Sequence, residues 1–278
     1  MKFSLVMATL GRSVEIERLF DTLAAQTYRN FELLVIDQND DDRVSSIVER
    51  FRDRLEIIYL RSEKGLSRAR NVGLAHVTGD IICFPDDDCW YTPDTLSFVA
   101  ERFRENPRLR GLTGMSVDAN GRPSQGRWAS ESLTLDRYNV WKSATSYTIF
   151  LHADAVRAAG RFDEALGVGS GSRWGAGEEV NYLLGVIKAG MLVQYDPRLR
   201  IHHPEPLMVL DERAFNRARL YNRGFGRVLG LNRYPPHFVF YLIARSIAGC
   251  GAAILKTDLK RARYCWIAAS QRFLGWVD

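Results

Sequence analysis

A chain of 278 residues is long enough for one large α/β domain or two smaller ones, and 46% hydrophobic with 26% charged residues excludes disordered, collagen-like and low-complexity classes. The net charge of +5 is unevenly divided: twelve Lys/Arg and four Asp/Glu follow position 210, whereas 26 bases and 29 acids precede it. Four cysteines with no CxxC pair argue against a zinc ribbon or disulfide scaffold and point to a reducing cytosol.

Residues 3–8 form an apolar run with the length of a buried strand, too short for a signal peptide or a membrane span. Ser13 is placed to N-cap a helix with Glu15 and Glu17 in its first turn, running to about Gln26. Residues 31–36 read as a second strand ending at Asp37, 43–52 as a polar helix, and 55–60 as a third strand. A short helix over 65–76 and a fourth strand over 80–84 follow, ending at Pro85. Thr92, Pro93 and Asp94 supply a cap, a pre-set first turn and an acid for a helix to about Glu105. Strands alternating with helices at this spacing mean an α/β fold with a parallel sheet, whose ligands bind beyond the carboxyl ends of the strands.

The basic tail interleaves its charges with a helical apolar rhythm: Phe215, Ala218, Leu220 or Tyr221, Phe225, Val228 and Leu229. A nearly uncharged run, 237–255, follows with Arg245 near its middle. A central Arg costs roughly 2.5–3.5 kcal/mol in a bilayer, so an interfacial helix fits better than a span. A helical subdomain packed on the body is compatible with that contact. Nucleic acid ranks last as a partner.

Polar and acidic residues gather after the strands: Thr9 to Arg12, Asp37 to Asp42, and Asp86-Asp87-Asp88. Three adjacent carboxylates left unpaired would raise one another's pKa, so they call for full solvation or a hard cation. Asp86 and Asp88, two apart on an extended backbone, point the same way, and oxygen ligands suit Mn²⁺ or Mg²⁺. With neither GxGxxG nor GxxxxGK[ST] present, a nucleoside diphosphate bridged by metal is what remains. Glu178 and Glu179 open a helix whose N-terminal dipole favours carboxylates, and only one of two neighbours there can face a cleft directly.

The order of these pieces resembles the family-2 glycosyltransferases. The matching stretches are Met7 to Arg12, Gln26 to Asp37, Gly65 to Leu74, Gly79-Asp80 and Phe84 to Asp88. Gly160 to Glu164, Gly177 to Glu179 and Tyr195 to Pro197, leading to His203, continue the match. The resemblance implies a GT-A fold, with a mostly parallel sheet flanked by helices, and inverting transfer from a nucleoside-diphosphate sugar. It implies that Thr9, Arg12, Asp37 and Gln38 belong to the donor site, with Thr9 and the Asp37-Gln38 corner on the base. Asp86 or Asp87 would face the ribose or sugar, and Asp88 would hold the metal with Asp86 and His203. Arg70 would reach the diphosphate or base, Glu179 would be the base catalyst, and Glu178 would position the acceptor. Ala8 replaces the family's usual Pro, and Gln38 replaces the second acid of its usual Asp pair, which loosens the expectation for the donor's base.

The implied organisation is a catalytic domain over 1–210, split into a nucleotide-binding half (1–110) and an acceptor half (111–210), then a basic amphipathic helical extension over 211–278. Trp128 and Trp141 fall in expected acceptor-side loops, and Trp174 is placed to stack on a sugar. The expected partners are the sugar donor and a glycan or lipid-linked acceptor, at the cytoplasmic face of the plasma membrane. Rival readings are a non-catalytic nucleotide-sugar scaffold and a sugar nucleotidyltransferase. The latter needs a Gly-rich loop that Thr9 to Arg12 does not supply.

Overall fold

The computed structural model describes residues 1–205 and 209–278 and divides into two compact units. The first (Met1–Lys64, Arg68–Phe162 and Tyr182–Glu205) carries the sheet; the second joins Gly65–Ser67 and Asp163–Asn181 to the C-terminal helices.

In the first unit, β1 (Phe3–Thr9), β2 (Phe31–Asp37), β3 (Ile57–Arg61) and β4 (Ile81–Cys83) alternate with α1 (Val14–Ala24), α2 (Arg43–Phe51) and α3 (Leu66–Leu74). Then come α4 (Thr95–Glu105), β5 (Leu109–Val117), β6 (Leu133–Thr134), β7 (Ile149–His152), α5 (Ala153–Ala159), α6 (Glu178–Lys188) and β8 (Leu192–His202); the opening residues of α3 and α6 belong to the second unit. Ile16, Leu19, Phe20 and Leu23 line the buried face of α1, and Val44, Ile47, Val48 and Phe51 that of α2. Phe20 meets Phe51 edge-on at 5.3 Å. Full burial of such side chains contributes about 1.5–3 kcal/mol each.

The sheet order is β3-β2-β1-β4-β7-β5-β8-β6. It is mostly parallel, but β7 runs antiparallel between β4 and β5, and β6 is antiparallel to β8. The reversal at β7 leaves β5 and β8 pointing the same way as β1, β2 and β4. All five strands therefore deliver their carboxyl ends to one edge.

Three local expectations change. Ser13 precedes α1 without a side-chain cap bond. Asp94, not Thr92, is the residue before α4; the Thr92 hydroxyl donates to the Asp94 carboxylate at 2.7 Å, so Pro93 lies outside the helix. β3 starts at Ile57. β8 runs past an irregularity opposite Gly114 to His202.

In the second unit, α7 (Glu212–Leu231), α8 (Pro236–Leu255) and α9 (Leu259–Val277) follow one another. The side chains of Asp211 and Asp258 cap α7 and α9. α7 and α9 cross backbone to backbone at Gly226 and Gly275. A Cβ on Gly226 would lie 2.2 Å from the Arg272 carbonyl oxygen, and one on Gly275 would lie 2.0 Å from that of Arg223. α7 also backs the segment leading into α6: the Gly175 N–H donates to the Leu220 carbonyl at 3.1 Å, and Gly177 packs on Val228. Gly177 has φ +91°, a conformation that favours glycine, where the chain turns into α6.

Candidate active site

The register of the parallel strands gathers the site. Thr9 pairs with Asp37 across β1 and β2, and Ala8 bridges Asp86 just past β4. At the end of β8, His202 bridges Trp90, which brings His203 to the same edge.

Asp86, Asp87 and Asp88 are not on extended backbone. The Cys89 N–H donates to the Asp86 carbonyl at 3.2 Å, closing a turn over Asp87 and Asp88. The turn, rather than strand alternation, brings Asp86 and Asp88 to the same side. Asp87 and Asp88 are buried rather than fully solvated, and protein cations lie against the triplet. Arg12 bridges Asp87, at 3.3 Å from Nε, and Asp88 through Nη1. His203 Nε2 lies 3.0 Å from Asp88, and buried Arg70 lies 3.5 Å from Asp86. The Thr9 hydroxyl donates to Asp87 at 2.7 Å, and that of Ser146 to Asp86 at 3.1 Å.

These neighbours split the three acids. Burial pushes Asp86 upward and raises Asp87 to about 7, only partly offset by Arg70 and Arg12 respectively. Burial also works against the Asp88 carboxylate, but His203 and Arg12 hold it down at about 2. Burial likewise opposes charge on His203, yet its bond with Asp88 raises its pKa above the ordinary 6.5. The Pro204 carbonyl accepts from His203 Nδ1 at 2.8 Å, so the bond from Nε2 to Asp88 forms when the ring carries both protons. Tyr147 stacks on the imidazole at 4.7 Å between centroids.

The Asp37 corner is equally constrained. Its buried carboxylate accepts from the Tyr59 hydroxyl at 2.7 Å and from the backbone and side-chain N–H groups of Asn39 at 2.8 and 2.7 Å. Burial, reinforced by Asp37, pushes the Tyr59 phenol up to about 12. The Gln38 amide donates to the Thr9 carbonyl at 3.3 Å. Arg70 is not on the surface: its guanidinium lies over the paired rings of Phe84 and Phe162, 5.8 and 5.5 Å from their centroids.

Asp86, Asp88 and His203 each offer a ligand atom, and these atoms lie within 4.8 Å of one another. Two carboxylates and one imidazole fit a divalent cation with positions left for phosphate oxygens, and the imidazole favours Mn²⁺ over Mg²⁺.

The other expected residues are placed separately. Glu178 and Glu179 open α6 in the second unit. Glu178 is buried, with its carboxylate against Gly167, whereas Glu179 is half-buried. Trp174 donates its indole N–H to Asp278 at 3.0 Å, and Arg227 covers its ring at 4.6 Å, so that face is not open to a sugar. Trp128 stacks on Tyr195, and Trp141 lies in a short helical turn. His202 is structural: it stacks on Trp90, and its Nδ1 bonds the Asp118 carbonyl. Asn39, Tyr59, Ser146 and Tyr147 were not expected. Of these, Asn39 falls in the polar stretch after β2 and Tyr59 near the end of the strand beside it; Ser146 and Tyr147 left no signal in the sequence.

The model described as Glycosyl transferase family 2 matches residues 4–157, more than half of the chain, and the chain belongs to that family. Poly(ribitol-phosphate) beta-N-acetylglucosaminyltransferase TarS of Staphylococcus aureus is 29% identical over 128 residues, 42% of this chain and 22% of TarS. The succinoglycan biosynthesis protein ExoM of Rhizobium meliloti is 27% identical over 231 residues, 76% of this chain and 72% of ExoM.

The structure of S. aureus TarS 1-349 in complex with UDP-GlcNAc matches at TM-score 0.63 and 15% identity, covering 98% of this chain and 92% of that one. Mannosyltransferase PcManGT from Pyrobaculum calidifontis, in complex with GDP-Man and Mn²⁺, matches at 0.64 and 16%, covering 99% and 86%. These likenesses establish the GT-A fold. The chain spans well under half the length of several curated relatives it matches: 36% of an uncharacterized Haemophilus influenzae glycosyltransferase, as well as the 22% of TarS.

Proposed function

We propose that the chain is an inverting glycosyltransferase that moves a sugar from a nucleoside-diphosphate sugar to an acceptor hydroxyl in surface polysaccharide or glycolipid synthesis. The observation that carries this reading is the convergence of Asp86, Asp88 and His203 beside the Asp37 corner at one sheet edge. Family membership and the nucleotide-sugar complexes of structural neighbours support it.

Asp37, oriented by Tyr59 and Asn39, reads the edge of the donor's base, with Gln38 beside it. Arg12 and Arg70 supply positive charge for the diphosphate. Asp86, Asp88 and His203 would hold Mn²⁺ or Mg²⁺, which when bound neutralises charge on the departing diphosphate. Glu179 accepts the acceptor hydroxyl proton as that oxygen bonds to the anomeric carbon. The bond to the diphosphate breaks with its electron pair leaving on the phosphate oxygen, so configuration inverts. The buried Glu178 fixes the start of α6 rather than taking the proton. The enzyme works at the cytoplasmic face of the plasma membrane, on a glycan or lipid-linked acceptor.

Thermal shifts with UDP, dTDP, GDP, CDP and ADP, with and without Mn²⁺, test this on wild type and Asp88→Ala. One diphosphate is expected to stabilise wild type alone, and only with metal; at about 100 times its Kd the gain is roughly 2.7 kcal/mol. No shift with any nucleotide overturns the donor site. A shift with no transfer to any acceptor identifies a binding scaffold instead.

A further inference from the structure

α8 is long and apolar enough to cross a bilayer by length and composition alone. Its placement argues for a different use. One row, Val239, Ile243 and Ala253, is buried. Packing of α8 on α9 comes from the Arg272 guanidinium, which donates to the Leu242 carbonyl at 3.2 Å, and from Phe240 edge-on to Trp276 at 5.8 Å. A second row, about 100° around the helix, repeats at helical spacing through Phe240, Ala244, Ile247, Gly251 and Ile254 and faces solvent. Phe240 is 52% exposed, Ile254 55% and Leu255 88%. Such a stripe is more apolar than an isolated surface leucine or two.

The charge around the stripe has one sign. No Asp or Glu occurs from 213 to 257, and Asp258 is the only acid between 213 and 277. Arg245 stands exposed on the flank of α8 beside the stripe, with its guanidinium 5.8 Å from the Tyr241 ring centroid. Lys256, Lys260 and Arg261 stand exposed at the end of α8 and the start of α9. An exposed apolar row on a helix whose other row is packed, rimmed by bases, matches an interfacial helix rather than a span. A second copy of the chain is a poorer fit, because pairing two such faces would set like charges against one another.

The geometry points to the outer face of α8 as a docking surface for an anionic lipid bilayer, with the helix lying in the plane of the headgroups. Phe240, Ile247, Ile254 and Leu255 enter the acyl boundary, and Arg245, Lys256, Lys260 and Arg261 meet lipid phosphates. This deepens the membrane-face placement proposed above and rests on it, but not on the identity of the donor.

The full chain is sedimented with vesicles of phosphatidylcholine alone or of phosphatidylcholine mixed with phosphatidylglycerol. Binding is expected only to the mixed vesicles. It should fall about fivefold for each base removed among Lys256, Lys260 and Arg261. Ile247→Asp combined with Ile254→Asp should abolish it, since both side chains are exposed and neither lies in the buried row. Thermal melts verify that each variant folds, and the nucleoside-diphosphate shift should be unchanged in all of them. A normal nucleotide shift without vesicle binding overturns the docking surface and leaves the transferase reading intact; vesicle binding without any nucleotide shift does the reverse. Equal binding to both vesicle types, or a dimer in light scattering that Ile247→Asp breaks, also overturns the docking surface.

Discussion

Asp86, Asp87 and Asp88 are compensated from within the chain: Arg70 faces Asp86, Arg12 bridges Asp87 and Asp88, and His203 faces Asp88. Arg12 is more than a third exposed, so Arg12→Ala should cost only about 1–2 kcal/mol, less than a fully buried pair. In that variant the acids have lost a counter-ion that a divalent metal can replace. Mn²⁺ should therefore raise the Tm of Arg12→Ala more than that of wild type; a smaller rise counts against metal at the triplet.

The two glutamates separate by a different measurement. Glu179→Gln should lower transfer by about 10²–10⁴ and leave the nucleotide shift untouched, whereas Glu178→Gln should lower Tm first because its carboxylate is buried. The carboxylates were legible in the sequence because they follow strands directly. Their partners were not: Ser146 and Tyr147 reach Asp86 and His203 from a turn about sixty residues away in the chain, and no local pattern marks them.

Among the elements, the first half of the sheet was readable because buried strands and amphipathic helices alternate in short, regular segments. β7 was not, since four residues placed antiparallel between two parallel strands carry no period of their own. Opposite the active edge, buried Glu32 on β2 accepts from Lys2, Ser4, and both the N–H and the hydroxyl of Thr78. Burial works against its charge, but Lys2, Ser4 and Thr78 together hold its pKa below the usual 4.5. A carboxylate depressed in the folded state adds stability above its unfolded pKa and loses it as pH falls through the folded one. Glu32→Gln should thus cost about 1–3 kcal/mol at pH 7, and the gap to wild type should narrow below about pH 4.5 in urea titrations.

The crossing of α7 and α9 gives a sharper test. At Gly226 or Gly275 a side chain meets backbone, which cannot rotate away. Gly275→Val should destabilise the second unit by about 3 kcal/mol or more, seen in a far-ultraviolet melt. The tail's helical rhythm was visible from sequence, but this contact was not, because the two glycines are far apart in the chain.

For the whole molecule, the division into two units predicts separable melting. Calorimetry should resolve two transitions, and a nucleoside diphosphate with Mn²⁺ should move only the transition of the unit that holds Asp37, Asp86, Asp88 and His203. A single transition shifted as one would mean the units melt cooperatively. The uneven charge follows the same organisation in outline. The acids before position 210 include those at the sheet edge, while the bases after it, Arg233 and Lys256 excepted, lie on α7, α8 and α9.

The backing of the Gly175–Glu178 segment by α7, itself crossed by α9, also has a consequence for synthesis on the ribosome. That segment leaves the ribosome long before its support does. Every residue of the first unit has been made once Glu205 is added, whereas the turn presenting Glu178 and Glu179 gains its support only after α7, and α7 its crossing only after α9. At roughly 5–20 residues per second, several seconds separate the two events. A nascent chain would therefore be able to grip a sugar nucleotide before it could transfer the sugar, so incomplete chains would hold donors without consuming them.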